Sequence, residues 1–296
     1  MPYSIRTDLA LEAREALLES TPGEMDGVLF ENRRQGSFDT LISTVQILNE
    51  TGAQIVGKPI GTYITLENPY LRQNILTAHE EIMDILTSIL QQMLPLKDSD
   101  TILVVGLGNR EVSADALGPL AVSGLLVSRH MRDAVPLELQ QQLRSVCAFA
   151  PGVMGQTGIE TQEIICGIQD RVHADGILLI DALAARSTQR VNTTIQLTDT
   201  GVSPGAGIGN RRQPLSPQTL GVPVIALGVP TVVDGRTMVL DAVPDAAPQD
   251  LETLSNLYVT PKNMDAVALR LSSILSGAIN RYLHHLSHED LKQYLY

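Results

Sequence analysis

Thr101-Ile102-Leu103-Val104-Val105-Gly106 follows the polar turn Lys97-Asp98-Ser99-Asp100 and leaves through Leu107-Gly108-Asn109. A short, unbroken apolar run between turn residues predicts a strand buried on both faces, the pattern of a parallel sheet. Working outward, similar runs recur at Arg144 to Ala150, Gly176 to Ile180, Val191 to Leu197 and Pro223 to Gly228. Helical stretches alternate with them at Leu117 to His130, Glu160 to Val172 and after Pro230, and Met264 to Leu286 closes the chain as a helix. The spacing predicts an α/β fold: an open, mostly parallel sheet with helices on both faces.

The flanks differ in character. Leu9 to Leu18 carries good helix formers behind Thr7 and Asp8, either of which can cap a helix. Residues 27–67 hold short strand-like runs separated by glycines, a small β-rich region near the N-terminus, and Leu71 to Leu94 is a long amphipathic helix stopped by Pro95. Gly201 to Pro217, rich in Gly, Ser, Pro and Arg, has no periodicity and reads as a functional loop or flap. Pro244 to Pro248 reads as a surface turn.

The chain has 296 residues, 44% of them hydrophobic, enough to enclose a large core. Its net charge of −12 would repel a phosphate backbone, and the basic pairs Arg33-Arg34 and Arg211-Arg212 are too short to offset it. Nucleic acid is disfavoured as a direct partner, whereas basic proteins fit. The N-terminus lacks the apolar core of a secretory signal, and no stretch reaches the ~20 apolar residues of a membrane helix. A cytoplasmic location follows, with Cys147 and Cys166 expected as free thiols.

Two carboxylates attract attention. Asp115 sits in the loop after the 101–106 strand, and Asp181 follows the run Ile177-Leu178-Leu179-Ile180. In a parallel α/β sheet, ligands bind in the crevice outside the carboxyl ends of the strands, so both side chains are expected to project toward one crevice. Paired carboxylates raise the pKa of one partner, giving an acid and a base at one pH. Such a pair can activate water against a peptide carbonyl without metal or cofactor. The bland reading of either Asp is a helix cap or a salt bridge to a neighbour such as Arg186.

Other chemistries find less support. Gly106-Leu107-Gly108 lacks the third glycine of a dinucleotide loop, because Glu111 stands there. The sequence contains no H-E-x-x-H and no C-x-x-C. His284, His285 and His288 cluster near the C-terminus, where a solvated face is expected rather than a metal site, and His130 and His173 read as surface or helix-end residues. Asp199-Thr200-Gly201 matches the D-T-G of pepsin-like proteases, but once only, and Gln196 and Thr198 interrupt the apolar lead-in.

The segments Ile5-Arg6-Thr7-Asp8-Leu9-Ala10, Asp115-Ala116-Leu117-Gly118-Pro119, Ala148-Phe149-Ala150-Pro151-Gly152-Val153-Met154-Gly155 and Ile180-Asp181-Ala182-Leu183-Ala184-Ala185-Arg186 strongly resemble the germination proteases of spore-forming Gram-positive bacteria. Val191-Asn192-Thr193-Thr194-Ile195-Gln196 and Gly221-Val222-Pro223-Val224-Ile225-Ala226 extend the match nearly end to end. The resemblance implies an aspartic-type endopeptidase of the spore core that degrades small acid-soluble DNA-coating proteins. It places the catalytic pair at Asp115 and Asp181; Asn192, Asp199, Asp234 and Arg186 are separate candidates for supporting residues. It also implies a homotetramer, and a zymogen that removes a pro-segment, residues 1–8, by cutting Asp8–Leu9, leaving residues 9–296 as one domain. The fold resembles that of hydrogenase-maturation endopeptidases, which keeps a metal-assisted peptidase open as an alternative, beside a non-enzymatic binder of basic spore proteins. The chain departs from many relatives in a very short pro-segment and a shorter region from about Asp241 to Tyr258.

Overall fold

A computed structural model describes residues 7–20, 23, 25–131, 134–205, 213–243, 246, 251–254 and 257–286. The expected turn at 244–248 and the Arg211-Arg212 pair lie largely or wholly outside these residues, as does most of the pro-segment. The fold is α/β. Among the described residues, nine strands form one mixed sheet: β1 Val28–Gln35, β2 Thr40–Ile47, β3 Gly61–Glu67, β4 Thr101–Gly106, β5 Ser145–Phe149, β6 Gly176–Ala185, β7 Thr194–Thr198, β8 Val224–Asp234 and β9 Tyr258–Val259. Their order is β1-β2-β3-β7-β8-β6-β4-β5, with β9 added to the end of β8.

Strands β5, β4, β6 and β8 pair in parallel, the part of the sheet that the sequence rhythm marks out. The β-rich N-terminal region is no separate body. Its three strands pair antiparallel and join the parallel block through β7, which is antiparallel to both β3 and β8.

Alternation of side chains explains why β4 is apolar throughout. Ile102 and Val104 enter the larger core, beneath the helices Leu76–Met93, Leu117–Ser123 and Met264–Leu283. Leu103 and Val105 enter a second core on the opposite face, beneath Thr161–Val172 and Pro217–Leu220. Each such buried Leu, Ile or Val stabilises the fold by roughly 1.5–3 kcal/mol before cavity effects. Both faces are therefore dry, and a polar residue on either has to answer for its place.

Several elements differ from the sequence expectation. The helix predicted over 117–130 stops at Ser123, where Gly124 allows the Met264–Leu283 helix to pass close by. Asn280 on that helix takes over the broken end, donating to the carbonyl of Gly124 at 3.0 Å and accepting from the amide of Leu126 at 2.9 Å. Strand β7 begins three residues later than predicted, because Asn192 adopts a left-handed φ of 61° that interrupts extended backbone. Strand β8 runs straight through Pro230 to Asp234. Pro230 is tolerated because it adjoins a β-bulge in β8, where Thr231 is the extra residue between the pairs Leu183–Pro230 and Ala184–Val232, while its carbonyl accepts from the amide of Asn192 at 2.7 Å.

Neither Thr7 nor Asp8 caps the Ala10–Ser20 helix in the expected way. The amide of Ala10 donates instead to the side chain of Gln196, 186 residues away, at 2.8 Å. His284 corrects the expected solvated histidine face: it is 3% exposed, and its Nε2 lies 2.9 Å from the carbonyl of Leu126. His130 and His173 are exposed, and Cys147 and Cys166 are unbridged.

Candidate active site

Asp181 does not end its strand. Strand β6 continues four residues beyond it, held by β8. The edge arises differently: β4 stops at Gly106, opposite Ile180, with the amide of Leu107 making the last bond to the Ile180 carbonyl at 2.8 Å. Asp181 is thus the first residue of β6 beyond its pairing with β4. Alternation along the strand puts it on the face of Leu179 and Leu183, at 7% exposure, and the amide of Ala182 lies 2.9 Å from its Oδ1.

Asp115 closes the short 3-10 turn Ser113–Asp115 just past β4. Its Oδ2 accepts from the amide of Asn109 at 2.8 Å, and the neighbouring Ala114 carbonyl accepts from Oγ1 of Thr231 on β8 at 2.6 Å. The turn therefore packs over the ends of β6 and β8. Two glycines permit this approach. A Cβ on Gly108, whose φ is 112°, would collide with the backbone and carboxylate of Asp115, and one on Gly118 would collide with the carbonyls of Leu107 and Ile180. Gly108, part of the Gly106-Leu107-Gly108 turn that reads as a truncated dinucleotide loop, and Gly118 together bring the Asp115 turn and its helix down onto the sheet edge.

Beside Asp181 opens a cavity of about 440 Å³. Its lining includes Asp8, Lys58, Tyr63, Asp181, Leu183, Gln196 and Gly228, together with Gly201, Val202, Ser203, Pro214 and Ser216 from the two roots of the glycine-rich loop. Those roots are joined by a bridge between Val202 and Leu215, while 206–212 lie outside the described residues. Across the floor, Gln196 of β7 stands opposite Gly228 of β8, which stands opposite Asp181 of β6. Glycine at the middle position leaves the side chain of Leu183 to fill the gap.

The N-terminal segment enters this cavity. The amide of Asp8 donates to the carbonyl of Ala184 at 2.9 Å, and the amide of Ala184 donates to Oδ2 of Asp8 at 2.8 Å. The carbonyl of Asp8 accepts from Nζ of Lys58 at 3.2 Å and from Nε2 of Gln196 at 3.1 Å. The amide of Leu9 donates to Oγ1 of Thr7 at 3.0 Å. Every polar atom of the Asp8–Leu9 peptide is therefore engaged. Tyr63, which donates to the Pro59 carbonyl at 2.9 Å, has its phenol pushed up to about 12, chiefly by burial, and stays protonated.

The remaining candidates lie elsewhere. Asp234 caps the Gly235–Ala242 helix, accepting from the amides of Arg236 at 2.9 Å and Thr237 at 3.3 Å, and pairs with the Arg236 guanidinium. Asp199 accepts from the amide of Thr62 at 2.8 Å, tying β7 to β3 next to the cavity's rim. Asn192 is buried with its carboxamide against Met264, and Arg186 reaches Glu19 at 3.6 Å. Among the described residues no group of three or more His, Cys, Asp or Glu side chains is placed to hold a metal ion, and no helix is long and apolar enough to cross a membrane.

A family model for the germination protease matches residues 6–245, taking in the Asp8–Leu9 peptide, Asp115 and Asp181. The chain belongs to the germination protease family. It is 43% identical to the germination protease of Clostridium tetani over 99% of both chains. It is 41% identical to that of Caldanaerobacter subterraneus over 99% of this chain and 98% of the relative. Against the germination protease of Bacillus subtilis it is 47% identical, over 81% of this chain and 66% of that protein. Membership makes the chain an endopeptidase of spore germination.

For a germination protease, sequence reasoning overlooked Lys58, Gln196 as a donor, and the main chain of Ala184. Lys58 stands between Gly57 and Pro59, a turn without a recognisable pattern. Gln196 occupies a polar place in the regular alternation Thr194-Ile195-Gln196-Leu197-Thr198, where nothing in the sequence sets it apart from its threonine neighbours.

Proposed function

We propose that this chain hydrolyses small acid-soluble spore proteins during germination, in the cytoplasm of the spore core, through a water shared by Asp115 and Asp181. It is made as a zymogen, removes residues 1–8 by cutting Asp8–Leu9, and acts as a homotetramer. The observation that carries this reading is the shared cavity: Asp8, on the carbonyl side of that peptide, lines the same space as Asp181. A segment destined for cleavage has to lie in the substrate cleft, and the reading is supported by Asp8 lining the cavity beside Asp181 while bonded to the strand that bears it. The pairing of the two carboxylates rests on the family resemblance; Asp115 is not among the cavity's lining residues, and its turn packs on β6 and β8 where β4 has ended.

In this mechanism one carboxylate, ionised, takes a proton from the water as its oxygen bonds to the carbonyl carbon. The other, protonated, gives its proton to the departing amine. The net charge of −12 favours encounter with basic substrates. The test is Asp115→Asn and Asp181→Asn, assayed on a small acid-soluble spore protein and on the enzyme's own N-terminus. Each is expected to lose at least ~10³-fold in kcat because members of a catalytic unit fail together. Full activity in either variant rejects the pair.

A further inference from the structure

The contacts around Asp8 carry more than a docking role. Two donors from unconnected parts of the fold meet on one carbonyl oxygen, that of the peptide proposed to be cut. Lys58 reaches it at 3.2 Å from the loop between the Glu50–Val56 helix and β3, and Gln196 reaches it at 3.1 Å from the middle of β7. We infer that Lys58 and Gln196 form the clamp that polarises the scissile carbonyl and receives its developing negative charge, first on the chain's own Asp8 and then on each substrate. This rests on the self-processing reading and deepens it.

Both donors are fixed before any substrate arrives. The Glu50–Val56 helix is capped at its start by Asn49 and ends on Gly57, with a left-handed φ of 70°, so Lys58 follows directly from a rigid terminus. Beyond it, the Pro59 carbonyl is held by the hydroxyl of Tyr63. Gln196 is 5% exposed, and its amide orientation is settled by Oε1 accepting from Ala10, which leaves Nε2 to donate. Lys58 also donates to the Thr7 carbonyl at 3.0 Å, so it grips two successive carbonyls. Burial pulls the Lys58 pKa down, with Asp8 and Glu12 opposing that shift. Pre-placed donors that cost no reorganisation during the reaction are the arrangement an oxyanion requires.

The step balances as follows. The water oxygen bonds to the Asp8 carbonyl carbon while the ionised carboxylate removes one proton. The C=O π pair withdraws onto the oxygen facing Lys58 and Gln196. When that pair re-forms the double bond, the C–N bond breaks. The nitrogen of Leu9 takes a proton from the acid and departs as an amine, leaving a carboxyl group on Asp8. Loss of residues 1–8 frees both donors for the carbonyl of an incoming substrate.

The experiment uses the full chain in five forms: wild type, Lys58→Met, Lys58→Arg, Gln196→Met and Asp181→Asn. Intact mass is followed over time for loss of the first eight residues, and kcat and KM are measured on a small acid-soluble spore protein. Lys58→Met is expected to slow self-cleavage and kcat by ~10²-fold or more and Gln196→Met by ~10-fold, with KM nearly unchanged and Lys58→Arg retaining more activity than Lys58→Met. A mere tether would raise KM or lower thermal stability and leave kcat alone. Wild-type kcat in Lys58→Met, or a defect confined to KM, overturns the clamp. A wild-type chain that is active yet keeps its first eight residues overturns the self-processing reading, and kcat on the external substrate then still judges the clamp.

Discussion

Asp8 and Ala184 hold each other by two hydrogen bonds, the Asp8 amide to the Ala184 carbonyl at 2.9 Å and the Ala184 amide to the Asp8 carboxylate at 2.8 Å. The N-terminal segment is thereby laid beside β6, three residues beyond Asp181. The carboxylate of Asp8 is used for docking and leaves its carbonyl to other donors. Asp8→Ala should strand the Ala184 amide and slow self-cleavage by roughly 10-fold or more, the worth of one hydrogen bond to a charged group. Intact-mass time courses of the two chains measure this, and equal rates would disprove it.

Gly118 meets the carbonyls of Leu107 and Ile180 with no room for a side chain. Gly118→Ala has to push the Leu117–Ser123 helix, and the Asp115 turn preceding it, away from the sheet edge. Denaturant titration is expected to show a loss of roughly 1–3 kcal/mol. Proteolytic kcat of the folded variant should fall further than stability alone explains. A variant with normal stability and kcat would mean that the approach is not tight.

Glu12 is 2% exposed and accepts from the amides of Arg186 at 2.6 Å and Ser187 at 3.0 Å, with Arg190 3.7 Å away. Arg190 is pulled down by burial, but its hydrogen bonds to Glu15 and Glu67 outweigh this and raise its pKa. It stays charged beside Glu12. Glu12→Ala should destabilise the chain by roughly 3 kcal/mol, since two amides and the Thr7 hydroxyl lose an acceptor and Arg190 loses a neighbouring charge. Urea midpoints at pH 7 give the answer, and a loss below ~1 kcal/mol would contradict it.

His284 has its pKa lowered from 6.5 to about 4, mainly by burial. A lowered folded pKa means that the unfolded chain binds the proton first. Stability is therefore full above pH 6.5 and declines as pH falls toward about 4, by at most roughly 3 kcal/mol from this group. His284→Gln should flatten that part of the stability profile. Parallel slopes for wild type and variant between those pH values would exclude His284 as the cause.

Asp234 behaves as a helix cap in a buried ion pair. Asp234→Ala is expected to cost about 1–2 kcal/mol of stability while leaving kcat per folded molecule within about twofold. A large fall in kcat at unchanged stability would instead bring Asp234 into the catalytic machinery.

Much of this was legible in the chain itself. Apolar runs such as Ile102 to Val105 define buried parallel strands because their residues have no polar face to show. Asp115 and Asp181 stand out because each follows an apolar run, although in sequence alone a helix cap or a salt bridge reads the same way. The D-T-G at Asp199 drew notice for its spelling, yet its carboxylate binds the Thr62 amide.

What the sequence determined alone was therefore local: burial pattern, element type, and which acidic residues adjoin the parallel strands. Tertiary structure decided what no spacing encodes. It set where β4 ends relative to β6, and so where Asp181 emerges. It bridged 186 residues so that Gln196, rather than Thr7 or Asp8, receives the first amide of the Ala10–Ser20 helix. It also brought Lys58 and Gln196 to a single oxygen. The physical reason is that apolar periodicity records how each residue meets water, whereas a hydrogen bond between distant segments depends on register and packing that emerge only once the sheet has assembled.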